Sequence, residues 1–257
     1  MVTRTYTTAF EGMEGRLVEV QCSVSEGMPA FSVVGLPDKA VSEARDRVRA
    51  AFEAMGVMLP AKKVTLNLSP ADLPKQGSHY DLPIALALLG ELGVLARDVL
   101  EGYLAMGELS LDGRLIAIPG ALPGAMVAAQ EGLAMLCPAK VGAEAAWVGA
   151  AEIYAPDTIA RAIDHVSGRK LLPRAEAGEV MQSAGGRDLG EVKGQTRAKR
   201  ALELAAAGRH HLLMTGAPGA GKSMLASCMP SLLPPLSPAE ALETAMIRSL
   251  AGLLPEG

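Results

Sequence analysis

The eight residues Gly216-Ala217-Pro218-Gly219-Ala220-Gly221-Lys222-Ser223 constrain this chain more than any other stretch. They read G-x-x-x-x-G-K-S, the phosphate-binding pattern called Walker A. Glycines at these positions let the backbone wrap closely round an anion, so that successive N–H groups point at phosphates. A helix opening directly after the loop adds the positive end of its dipole. The pattern assigns Lys222 to the β- and γ-phosphates and the Ser223 hydroxyl to Mg²⁺. The flanks agree with it: His211-Leu212-Leu213-Met214-Thr215 is a short apolar run of strand type, and Met224 to Met229 supplies the start of a helix. A nucleoside triphosphate with Mg²⁺ is the expected ligand. The competing reading is a glycine-rich turn with a solvated lysine.

A length of 257 residues with 49% apolar content gives one or two domains with proper cores. Aromatics make up only 3%, so Leu, Val, Ala, Ile and Met must fill those cores. The net charge of −4 argues against wholesale polyanion binding but leaves room for a local basic patch. Cys22, Cys137 and Cys228 form neither a metal spacing nor an even disulfide set, which points to a reduced, cytoplasmic protein. The first residues lack the apolar core of a signal peptide. The most apolar stretch, Leu82 to Leu95, contains Glu91 and is too short to span a bilayer, so no membrane partner is expected.

Along the chain, residues 3 to 35 read as strands, with Leu17 to Val24 largely alternating and Phe31 to Val34 a short apolar run. Asp38 opens a helix whose apolar stripe is Val41, Ala44, Val48, Phe52 and Met55, stopped by Gly56. Arg45, Arg47 and Arg49 on its other faces read as solvated and paired to Glu43 and Asp46, ahead of a nucleic-acid contact. Val64 to Leu68 is a strand, Ser69 to Ser78 a loop, and Asp81 to Gly90 the beginning of a buried helix. Tyr103 to Leu111 and Arg114 to Ile118 read as strands joined at Asp112-Gly113. A helix at 119–132, a strand at 133–137, a helix at 141–148, a strand at 153–154 and a helix at 158–166 complete one α/β domain over 1–168. Residues 169–187 read as a linker, rich in Gly, Ala, Glu and Arg without a period. A second unit, 188–257, begins with a helix from Gln195 to Gly208 and ends with another from Pro238 to Leu250. A complete NTPase core also needs a second strand ending in acidic residues, and none lies between Ser223 and Gly257.

Several segments together resemble the YifB/ComM family of magnesium-chelatase-like AAA+ ATPases. They are Val33-Val-Gly-Leu-Pro-Asp, Arg45-Asp-Arg-Val-Arg-Ala-Ala, Asn67-Leu-Ser-Pro-Ala-Asp-Leu-Pro-Lys, Gly77-Ser-His-Tyr-Asp-Leu-Pro-Ile-Ala and Gly107-Glu-Leu-Ser-Leu-Asp-Gly-Arg-Leu. Val192-Lys-Gly-Gln-Thr-Arg-Ala-Lys-Arg-Ala-Leu-Glu and His210-His-Leu-Leu-Met-Thr-Gly resemble the opening of that family's ATPase domain. The resemblance implies a Lon-protease-like mixed α/β amino-terminal domain of ChlI type, followed by the incomplete start of a P-loop AAA+ domain. It implies ATP and Mg²⁺ as cofactors, a cytosolic homo-hexamer, and a motor on branched or single-stranded DNA linked to natural transformation and branch migration. Residues 192 to 195, with Val192 and Gln195 at the ends, would flank the adenine while Gly216 to Ser223 hold the phosphates.

Competing functions are an ATP-dependent Lon-like protease and a magnesium chelatase motor subunit. Against the first, Ile84 stands where Lon-type enzymes carry the serine nucleophile, and Pro123 where they carry the lysine base. Neither side chain has a group that could attack or take a proton, so no catalytic residue is expected here. Ser78 and Lys75 are unfavoured substitutes in a Pro/Gly loop. The domain is read as a platform around an emptied cleft lined by Ile84 and Pro123. His210 and His211, adjacent on the expected strand, point to opposite faces and are not read as metal ligands. Asp72 and Asp81 are read as structural.

Overall fold

The computed structural model describes residues 2–178 and 186–254. It divides into two compact units, one of Met1–Glu179 with Leu242–Gly257 and one of Val180–Ala241.

The first unit is built on a seven-stranded sheet. β1 (Thr3–Glu11) and β2 (Glu14–Ser25) form an antiparallel hairpin, with Gly12 at φ 61° taking the left-handed position that so short a turn requires. β3 (Ala30–Val34) leads into α1 (Lys39–Ala54), which is followed by β4 (Lys63–Ser69) and α2 (Asp81–Glu91). Then come α3 (Arg97–Leu100), β5 (Tyr103–Ala105), β6 (Glu108–Leu109), β7 (Leu115–Ile116), α4 (Ala121–Glu131) and β8 (Ala134–Leu136). α5 (Gly142–Ala145), β9 (Ile153–Tyr154) and α6 (Ile159–Val166) complete the run. The strand order is β3-β4-β2-β1-β5-β8-β9, with β1/β2 and β2/β4 antiparallel and the remaining neighbours parallel. This is a mixed α/β sheet with helices on both faces.

Strand alternation divides the core between those faces. Leu104 and Met135 belong to one apolar cluster, with α4 and α5, while their neighbours Ala105 and Leu136 belong to the other, with α1 and α2. The predicted stripe of α1 is the buried one, and Asp38 caps the helix by accepting from Val41 N at 2.8 Å. Residues 81 to 90 of α2 are all buried. β1 turns a row of threonines toward α2: Thr3 Oγ1 donates to Glu91 Oε2 at 2.9 Å and Thr5 Oγ1 to the Pro83 carbonyl at 3.1 Å. Trp147 lies half-exposed in the turn after α5.

Three expectations need correction. The strand expected over Tyr103 to Leu111 breaks after Ala105, and β6 pairs only with β7 in a separate two-stranded ladder. Gly107 explains the break: its N–H donates to His79 O at 2.9 Å and its carbonyl accepts from Leu82 N at 3.0 Å, so its backbone serves the entrance of α2 and not a sheet. The helix expected over 141–148 is a single α-turn, α5, between two 3₁₀ turns. The start of the expected linker is packed onto the first unit. Leu172 is buried, its N–H donates to His165 Nδ1 at 3.0 Å, and Ala175 N reaches Ile153 O at 2.8 Å alongside a Tyr154–Arg174 bridge. Residues 179–185 of that segment lie outside the described residues.

In the second unit, α7 (Thr196–Gly208), α8 (Lys222–Ala226) and α9 (Met229–Leu232) surround a small core of Leu189, Val192, Leu202, Leu225 and Cys228. α10 (Pro238–Leu250) follows, and from Leu242 onward it packs with the first unit. There Ser249, 1% exposed, offers its carbonyl to Gly120 N at 3.0 Å. Leu122 N donates to Glu144 Oε1 at 3.1 Å, and the Ser249 hydroxyl donates to the same carboxylate. These groups cap α4, whose N-cap glycine has no side chain to do so. Among the described residues, no helix is long and apolar enough to cross a membrane.

Candidate functional site

The strand expected at 211–215 is absent. His211 to Thr215 has no ladder partner among the described residues, and Leu213 is 88% exposed. A strand exists by virtue of neighbours, which an apolar run cannot supply for itself. The phosphate loop nevertheless keeps its own conformation. Gly216, Gly219 and Gly221 take φ values of 156°, 80° and 79°, a region that favours glycine. Ala217, Pro218 and Ala220 complete an exposed arch. Lys222 folds back under it, its Nζ donating to the carbonyls of Gly216 and Ala217 at 2.8 Å each. Ser223 is exposed and its hydroxyl has no partner among the described residues.

Gln195, also named from the sequence, meets the loop. Its backbone is left-handed at φ 52°, and its Nε2 donates to Ala220 O at 3.2 Å. A Cβ on Gly221 would stand 2.9 Å from that nitrogen, the mobile end of a side chain, so the third glycine of the arch is needed for its φ of 79°. Gln195, Thr215, Ala220 and Lys222 line a cavity of about 410 Å³, with Leu213 and Leu225 as its apolar wall. That volume is within the range of small-molecule sites. Val192 does not line it: the side chain is 2% exposed, one layer below, in the small core with Leu225. A slightly larger cavity of about 490 Å³ lies between α7, α9 and the Pro234-Pro235 turn, and His210 lines it while His211 does not. The phosphate arch borders only the smaller one, so the chemistry favours that one.

The positions compared with protease machinery are core positions. Ile84 is fully buried in α2 and Pro123 is buried in the first turn of α4. The expected emptied cleft is therefore filled: Ile84 packs into the main core and walls no opening. Lys75 is also fully buried, its ammonium held by the Pro70 carbonyl, and burial pushes its pKa down. Ser78 donates to Glu108 Oε2.

One feature was missed from the sequence. Arg47 keeps the expected pairing with Glu43 at 3.9 Å but does not face solvent: it forks onto Asp81 with Nε–Oδ2 2.6 Å and Nη2–Oδ1 2.9 Å, and Asp81 is wholly buried. Asp81 also accepts from Leu109 N at 3.0 Å, which ties α1, α2 and the β6/β7 ladder together. Burial pushes the Asp81 carboxyl up against the pull of Arg47. Arg45 and Arg49 do remain at the surface, paired to Asp46 and Glu53. The available signal for Arg47 was a buried aspartate opening a helix that is otherwise apolar, since such a charge needs a partner.

Comparison with known proteins covers both units. Residues 18–140 match the family model described as subunit ChlI of Mg-chelatase, and residues 188–257 the one described as magnesium chelatase, subunit ChlI. The uncharacterized protein YifB of Salmonella typhimurium is 42% identical over 95% of this chain and 48% of its own length. YifB of Escherichia coli is likewise 42% identical over 95% of the chain and 48% of its own length. The competence protein ComM of Haemophilus influenzae is 41% identical over 95% of the chain and 49% of its own length. The chain thus spans about half the length of the curated relatives it matches.

Proposed function

The chain belongs to the magnesium-chelatase-like family of YifB and ComM, and from that premise we propose that it is the nucleotide-binding first part of an ATP-driven motor acting on branched or single-stranded DNA. The observation that carries the nucleotide half is the Gly216–Ser223 arch, with three glycines at positive φ and Lys222 drawn beneath its carbonyls. Gly216, Ala217, Gly219, Ala220 and Gly221 offer backbone N–H groups to phosphates, Pro218 shapes the loop without a donor of its own, and Lys222 exchanges loop carbonyls for phosphate oxygens. Ser223, whose hydroxyl has no partner among the described residues, would hold Mg²⁺, and that ion would neutralise charge at the phosphates. Gln195 steadies the arch from α7, and Val192 supports the adenine side from the core beneath. The DNA half rests on family likeness and on the competence role printed in the name of one relative. A homo-hexamer in the cytoplasm is part of the same proposal.

Binding of a fluorescent ATP analogue with Mg²⁺ tests the nucleotide half. Lys222→Ala removes a charge-assisted donor whose hydrogen bonds are worth about 1.5–3 kcal/mol each, so affinity should drop roughly tenfold to a hundredfold. Equal affinity for both proteins would refute the assignment. The DNA half is tested by gel shift of the whole-length protein on branched, single-stranded and duplex DNA, with and without ATP. Equal retention of all three DNAs at every salt concentration would remove it.

A further inference from the structure

The two edges of the large sheet are finished differently. At β9, the Tyr154–Arg174 bridge and the Ala175–Ile153 hydrogen bond close the edge with the protein's own chain. At β3, among the described residues, no strand or bridge lies on the outer side. Natural edges are normally guarded by charges, bulges or proline within the strand. β3 has none of these: residues 28–37 carry no charge at all, although 20% of the chain is charged. Pro29 and Pro37 flank it and confine any pairing to the five residues Ala30–Val34.

The ladder fixes which backbone groups are free. Ala30 N–H donates inward to Lys62 O, and in a parallel pair the inward groups recur at every second residue. Ser32 and Val34 therefore also face β4, and Phe31 and Val33 direct both N–H and C=O outward. These two residues lie symmetrically about Ser32. Their side chains rest half-buried on the main core at the rim of its apolar layer. Ser32, Ala30 and Val34 stand on the opposite, polar face, where the Ser32 hydroxyl approaches Thr65 Oγ1 at 3.5 Å.

We propose that β3 is a self-association strand, pairing antiparallel with β3 of a second copy of this chain about a two-fold axis through Ser32. In that register Phe31 of each copy exchanges both backbone hydrogen bonds with Val33 of the other. The two half-covered side chains then meet their counterparts, and two apolar layers become continuous. Ala30 faces Val34 at each end. Ser32 faces Ser32 as a non-hydrogen-bonded pair with Cα atoms about 4.5 Å apart. The contact is isologous, so a single strand supplies both halves of it. The absence of charge along the strip removes the like-charge repulsion that a two-fold contact would otherwise create.

Sedimentation equilibrium of the chain over the micromolar range should show a monomer–dimer equilibrium. Ser32→Lys and Ser32→Glu each place two like charges across the axis and should give monomers, with far-UV circular dichroism unchanged. An equimolar mixture of the two should restore the dimer, a rescue specific to this register. Ser32→Cys under mild oxidant should yield a disulfide dimer through residue 32, because 4.5 Å lies within the Cα range of disulfides and Cys22, Cys137 and Cys228 are buried. A wild-type chain monomeric throughout overturns the proposal. So does association that survives both charge variants, or a mixture that stays monomeric.

Discussion

His79 is a ring that the fold holds neutral. It is 5% exposed, donates from Nε2 to Thr8 O at 2.8 Å, and stacks beside Tyr80 with ring centroids 4.3 Å apart. Burial pushes its pKa down to about 4 from the ordinary 6.5. The unfolded chain therefore takes up this proton first as pH falls, and the folded state resists it. Stability from this group is complete above pH 6.5 and is lost as pH drops toward 4. Between pH 7 and 5 the loss should be about 2 kcal/mol, read from urea midpoints. His79→Gln should flatten that slope, and an unchanged slope would assign it to other groups. The Arg47–Asp81 pair belongs to the same scale and was not legible beforehand. Helical spacing offers Arg47 only partners on its own helix, such as Glu43 at 3.9 Å, whereas the partner of its fork, Asp81, is 34 residues away.

At the scale of elements, the turn from β3 into α1 is the tightest joint in the first unit. Gly35 has φ 103°, and a Cβ there would collide with the Leu68 carbonyl; Leu36 follows at φ 55°. Gly35→Ala combines strain with a backbone clash and should cost roughly 2 kcal/mol or more in chemical denaturation. A cost within 0.5 kcal/mol would mean that the turn rearranges freely. The elements on either side were readable because each carries its own signal. β2 and β4 alternate, and α1 has a capped apolar stripe. α2 is apolar throughout. The bent conformation of Gly216–Ser223 was readable for the same reason, since its glycines and lysine are contiguous. Elements defined by a distant neighbour were not readable. The run at 211–215 looked like a strand but lacks a partner among the described residues, and the 103–111 run broke because Gly107 was bonded to the helix entrance. The expected linker bound β9 and His165, neither of which its own composition announces.

Across the whole molecule, the first unit has a large two-faced core, and the second has a small core beneath an exposed arch. The site residues named from sequence fall in the second unit, and the structure brings Gln195 to the arch while leaving Val192 below it. The aromatic side chains are distributed more unevenly still. Trp147 is the chain's single tryptophan, and it belongs to the first unit together with Tyr6, Tyr80, Tyr103 and Tyr154. Val180–Ala241 contains no tryptophan, tyrosine or phenylalanine. Absorbance at long ultraviolet wavelengths and intrinsic emission therefore originate wholly in the first unit, and the second unit is optically dark. Saturating ATP should leave tryptophan emission flat while a labelled analogue reports occupancy. A shift in that emission on adding ATP would mean that binding alters the surroundings of Trp147.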